Sequence, residues 1–151
     1  SKNRRGRAAA LNMVLTETGA ASAVSQVLPN LNGKISANAI RVPTPNVSLA
    51  ILKLYLEKPS SLEEFNEFLK QTAFHSLLKD QIDFSISTEN VSSDFVGSKY
   101  ASVIDGQSTI VNDRNVVVYV WYDNEYGYCA QLLKVIKRMS GIQYRKLPNF
   151  L

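Results

Sequence analysis

Thr18-Gly19-Ala20-Ala21 places a hydroxyl, backbone N–H groups and the positive end of a helix dipole at one point. That combination binds anions, and the glycine lets a ligand oxygen approach the backbone. A plain helix cap by Thr18 fits the same residues. Arg41 ends a strand pattern just before Pro43, and Arg5 sits among Lys2, Arg4 and Arg7. Either guanidinium could grip a phosphate with its two-pronged fork; an exposed strand end and a solvated loop are the ordinary alternatives. Asp123-Asn124-Glu125 joins a strand pattern to a helix pattern, where Asn124 is a natural cap. The lone histidine, His75, lies just past a helix, and a surface or packing role suits it better than catalysis. Cys129 falls in the first turns of the last helix and reads as a small packing residue, although a helix start can activate a thiol. Tyr119, Trp121, Tyr122, Tyr126 and Tyr128 form an aromatic cluster of the kind that usually fills a core.

The elements that must carry these residues follow from hydrophobic period and breakers. Residues 8–15 read as a buried strand. Thr18-Gly19 opens a helix in which Ala20, Ala23, Val24, Val27 and Leu28 recur at helical spacing, until Pro29 and Asn32-Gly33 stop it. A strand is expected over 34–42, broken by Pro43 and Pro45. Another is expected over 47–56, and its two apolar faces point to a central place in a sheet. Ser61 with Glu64 three residues on is a capping box, heading a helix with the stripe Leu62, Phe65, Phe68, Leu69. Further strands are expected at 82–87, 100–104, 108–111 and 116–122. The last helix, from about 125 to 140, carries the stripe Leu132, Val135, Ile136, Met139 and ends at Gly141. Strands that follow one another without helices between them favour an α+β fold: an antiparallel or mixed sheet with helices packed on one face. No GxGxxG follows a strand, so no nucleotide-binding Rossmann half is visible.

The chain has 151 residues, with 45% hydrophobic and 20% charged side chains, enough for a real core and unlike a disordered segment. Its net charge is +4. The basic cluster at the start runs directly into AAALNMVL, so an anion site or solvated loop is favoured over a nucleic-acid arm. One cysteine cannot close an internal disulfide and suits a reducing compartment. No membrane span or signal core is visible. A cytoplasmic protein is expected, with neither membrane nor nucleic acid among its partners. The start, Ser1-Lys2-Asn3, is expected of a cut or processed chain.

RRGRAAALNMVLTETGAA, LNGKISANAIRVPTPNVS, VSSDFVGS and WYDNEYGY occur in one order. In that order they resemble the C-terminal catalytic part of the phosphorylating glyceraldehyde-3-phosphate dehydrogenases. The resemblance covers residues 1–141 as a catalytic domain and fades in a tail, 142–151. It implies that Arg5 and Thr18-Gly19 bind the attacking inorganic phosphate and that Arg41 contacts the phosphate of glyceraldehyde 3-phosphate. It further implies that Asn124 holds the nicotinamide carboxamide of NAD and that Tyr128 packs near the ring. NAD against NADP stays open, since the dinucleotide domain reads that choice. A homo-oligomer, the family tetramer, is the implied assembly of the full-length protein. Glu17 replaces the family's small hydroxyl residue; facing the phosphate it would repel it, so it is expected to point away. Cys129 stands at a position that is commonly serine.

In the family a cysteine in an SCTTN-type motif attacks the aldehyde, a histidine serves as base, and phosphate displaces the thioester. Neither motif occurs in this chain. The chain alone is therefore expected to be inactive, with no catalytic residue of its own and no metal site. The alternatives are a non-catalytic module that binds phosphate and oligomerises, or part of an enzyme oxidising erythrose 4-phosphate. The stripe of the last helix is expected to lack its usual partner, and so to swing, swap or dimerise.

Overall fold

The computed structural model describes residues 11–141. The chain divides into two compact units, Ser1–Pro45 and Asn46–Leu151. Arg5 and the tail lie outside the described residues.

In the first unit, β1 (Val14–Thr16) pairs antiparallel with β2 (Ala39–Arg41), matching Val14 to Arg41, Leu15 to Ile40 and Thr16 to Ala39. Opposed residues in such a ladder share a face. Val14, Thr16, Ala39 and Arg41 therefore lie on one side, with Leu15 and Ile40 on the other. Both strands are shorter than the apolar pattern suggests. Residues 35–38 have no ladder partner after the turn at Gly33, whose φ is +74°, and β2 ends two residues before Pro43. Between the strands lies α1 (Ala20–Val27), followed by a 3₁₀ turn at Pro29–Leu31, where proline occupies a position that needs no N–H.

The second unit is built on a four-stranded mixed sheet. Its strands are β3 (Ser48–Tyr55), β4 (Ile82–Ser85), β5 (Ser102–Asn112) and β6 (Asn115–Tyr122), in the order β3-β6-β5-β4. The β4–β5 pair is parallel and the others antiparallel. β6 alternates buried Val116, Val118 and Val120 with half-buried Val117, Tyr119 and Trp121. The buried set joins Phe84, Ile104 and Ala73 in the core.

Two strand expectations change. β3 pairs only with β6 among the described strands, so it lies at the sheet edge. Its second apolar row, with Ile51 60% exposed, is open surface rather than a sign of central position. The two strands expected at 100–104 and 108–111 are one strand, β5, irregular between Asp105 and Ile110.

Helix α2 (Leu62–His75) packs on β4 and β5. Its start is the expected capping box: Ser61 Oγ accepts from Glu64 N, and Glu64 Oε2 from Ser61 N, both at 3.2 Å. The inward face is Phe65, Leu69 and Ala73, spaced by four. Phe68 turns outward, 66% exposed, because it lies on the other side of Phe65 from Leu69 and Ala73; Leu62, in the first turn, is also exposed. Asn66 also faces the sheet, and its Nδ2 donates to Gly106 O at 2.9 Å.

The last helix, α3 (Asn124–Met139), is tied down by a polar seam. Gln131 Nε2 donates to Lys99 O at 2.9 Å and to Asp80 O at 3.3 Å, and Lys134 Nζ also donates to Asp80 O. The apolar stripe points elsewhere: Leu132, Val135, Ile136 and Met139 are all exposed.

Candidate functional site

The candidate anion-binding residues of the first unit sit on β1, β2 and the start of α1. Arg41 is exposed at the end of β2, and its Nε donates to Thr16 Oγ1 at 3.3 Å across the ladder. Thr18 is half-buried, and its Oγ1 accepts from Ala20 N at 3.2 Å. Gly19, not Thr18, is the N-cap. The first helical bond is Ala23 N to Gly19 O. The N–H groups of Ala21 and Ser22 thus precede the ladder and are available to an anion, as at any helix start. A Cβ built at Gly19 would meet nothing within 4 Å, so the approach to this turn is open. Glu17 is exposed and forms no ion pair with Arg41.

In the second unit the start of α3 is organised by Asp123, which sequence reasoning passed over in favour of Asn124. Asp123 is buried and is the N-cap: its Oδ1 accepts from Tyr126 N at 2.9 Å. Its Oδ2 accepts from Gly97 N at 2.9 Å and from Asn46 Nδ2 at 3.1 Å. One carboxylate therefore joins the head of β3, the loop after Phe95 and the head of α3. Phe95 stacks on Trp121, with ring centroids 5.3 Å apart, fastening the same loop to β6. Next to Asn46, Val47 holds φ at +72°, a strained setting for a β-branched residue. Its N–H is bound by Asn46 Oδ1 at 2.7 Å.

Because Asp123 caps the helix, Asn124 does not. Asn124 is exposed and its carboxamide is not spent on the backbone. Tyr128 lies four residues on, on the same helix face, and is 70% exposed. With Tyr126 at 55%, these two tyrosines leave the core to Tyr119, Trp121 and Tyr122, which are half-buried. A free amide that can donate and accept, with an aromatic ring one turn away, can engage a flat ligand that itself carries an amide. Cys129 is exposed rather than packed, since the docked seam of α3 runs through Asp123, Gly127, Gln131 and Lys134. His75 is exposed at the end of α2, as expected. Among the described residues no cluster of His, Cys, Asp and Glu could hold a metal ion.

A second buried carboxylate, Asp105, was also not singled out from sequence. Burial pushes it up, but hydrogen bonds from Trp121 Nε1 at 3.0 Å, Asn90 Nδ2 at 3.2 Å and Ser108 N at 3.1 Å outweigh that. They hold it below its ordinary 3.8. Asp123 is likewise held below 3.8, by Gly97 N–H first and then Tyr126 N–H, which together with Asn46 outweigh burial. The sequence signals were an Asp directly ahead of a helix, and an Asp inside a strand, where it is uncommon.

Both carboxylates are more acidic folded than unfolded. Their stabilisation is complete above the unfolded value and is lost as pH falls through the lower folded values. The urea midpoint should therefore hold steady near neutrality and fall below about pH 4. Asp105→Asn and Asp123→Asn should each lower the neutral midpoint and flatten the acid decline. Equal acid slopes in wild type and both variants would show that these groups are not the cause.

By its fold the chain is an α+β protein with no dinucleotide-binding half among its described residues. The profile of the glyceraldehyde 3-phosphate dehydrogenase C-terminal domain matches residues 1–124, and the chain belongs to that family. It is 58% identical over 97% of its length to a glyceraldehyde-3-phosphate dehydrogenase-like protein of Pseudomonas aeruginosa. It is 46% identical over 91% to glyceraldehyde-3-phosphate dehydrogenase 2 of Trichormus variabilis, and 49% over 91% to the glyceraldehyde-3-phosphate dehydrogenase of Priestia megaterium. The chain spans only 32%, 40% and 41% of those three relatives. The parent family is one of oxidoreductases that use a nicotinamide cofactor.

Proposed function

We propose that this chain is most of the catalytic domain, residues 1–141 with the tail 142–151, of a cytoplasmic, homo-oligomeric, NAD-dependent glyceraldehyde-3-phosphate dehydrogenase. In this reading the full-length enzyme converts glyceraldehyde 3-phosphate and inorganic phosphate to 1,3-bisphosphoglycerate. Arg5 and Thr18-Gly19 receive the inorganic phosphate, and Arg41 the phosphate of the substrate. When bound, the nicotinamide accepts the hydride. Asn124 orients its carboxamide, and Tyr128 lies beside its ring. The observation that carries the reading is the division of labour at α3: a buried Asp123 caps the helix and leaves Asn124 free.

The chain itself would bind and orient without turning over. Its one cysteine is exposed Cys129 and its one histidine is exposed His75, and they lie on different helices, α3 and α2. Neither is part of a nucleophile–base pair. The test compares the chain with the full-length protein in the presence of NAD, glyceraldehyde 3-phosphate and phosphate. NADH should form only with the full-length protein, and should keep forming beyond one equivalent per site only when phosphate is added. Turnover by the chain alone, or none by the full-length protein, would overturn the proposal.

A further inference from the structure

We infer that Thr16 is a positioning residue for Arg41, and that it fixes which edge of the guanidinium meets the substrate phosphate. The inference rests on the assignment of Arg41 to that phosphate. An arginine offers two bidentate edges: Nη1 with Nη2 at its end, or Nε with one Nη along its side. Thr16 Oγ1 accepts from Nε at 3.3 Å and so occupies the side edge. The end edge is left for the anion, and Arg41 forms no ion pair among the described residues.

The β1–β2 register makes this contact. Arg41 stands opposite Val14, and Thr16 opposite Ala39, so Thr16 and Arg41 are diagonal neighbours on one face. Val14, on that same face, is buried, and the ladder ends one residue before Val42-Pro43. A long, exposed side chain at a strand end would otherwise sample many rotamers and lose that freedom on binding. A hydroxyl fixed to the neighbouring strand restricts the search in advance.

The test uses the full-length enzyme with Thr16→Val, which keeps shape and strand preference but removes the acceptor, and Thr16→Ser, which keeps it. Thr16→Val should raise the KM for glyceraldehyde 3-phosphate about tenfold, the weight of one hydrogen bond to a charged group. It should leave kcat, and activity on unphosphorylated glyceraldehyde, unchanged. Thr16→Ser should restore the KM. In an Arg41→Ala background Thr16→Val should add nothing. A Thr16→Val enzyme with the wild-type KM, while Arg41→Ala is impaired, overturns this inference alone. Equal losses on both aldehydes overturn it too, by assigning Thr16 a general structural role. A wild-type KM in Arg41→Ala overturns the assignment of Arg41, and this inference with it.

Discussion

Arg41→Ala in the full-length enzyme should raise the KM for glyceraldehyde 3-phosphate roughly a hundredfold, the equivalent of about 3 kcal/mol for a lost charge-assisted fork. The guanidinium is exposed on the described residues and already held at Nε, so little ordering cost remains to be met when the anion arrives. Activity on unphosphorylated glyceraldehyde should be nearly unchanged, since nothing in that substrate engages the fork. Arg41→Lys should recover only part of the loss, because an ammonium supplies charge without two parallel donors. Steady-state kinetics with both aldehydes decides the matter: a uniform loss would place Arg41 in the scaffold rather than on the phosphate.

Gly127→Ala should destabilise the chain by about 2 kcal/mol, although alanine is ordinarily the better helix former by about 1 kcal/mol. Gly127 is buried on α3, and a Cβ there would stand 2.7 Å from Tyr100 O. That atom belongs to the backbone and cannot rotate away. The helix must lift instead, which stretches the bonds from Gln131 to Lys99 O and from Lys134 to Asp80 O. Urea unfolding measures the sum. A gain in stability would mean that helix preference outweighs the contact.

Local signals were easy to read. Ser61 and Glu64 define their helix start within four residues, and the β-branched run at Val116–Val118 marks its strand. What depended on distant partners was hidden. The edge position of β3 is decided by which strands lie beside it, and its own apolar pattern is silent on that. The continuity of β5 is masked by Asp105, Gly106 and Gln107, which read as a break yet run through an irregular ladder. Thr18 and Arg41 were legible as candidate anion ligands, and the four segments in family order raised them above a cap and a strand end. The Thr16–Arg41 bond was not legible, because it depends on a pairing between residues 25 apart. Asn124 was read as a natural cap, a place that belongs to Asp123. Both residues can cap, and the bonds that Gly97 N and Asn46 Nδ2 give to the buried carboxylate favour Asp123.

The seam that holds α3 has a consequence for sequence change. Gln131, Lys134 and the bare face of Gly127 all meet main-chain oxygens, those of Asp80, Lys99 and Tyr100. Every residue type carries such an oxygen. The loops beneath the helix can therefore exchange their side chains freely while the helix keeps its seat, so mutational tolerance at 80, 99 and 100 should coexist with strict demands at 127, 131 and 134.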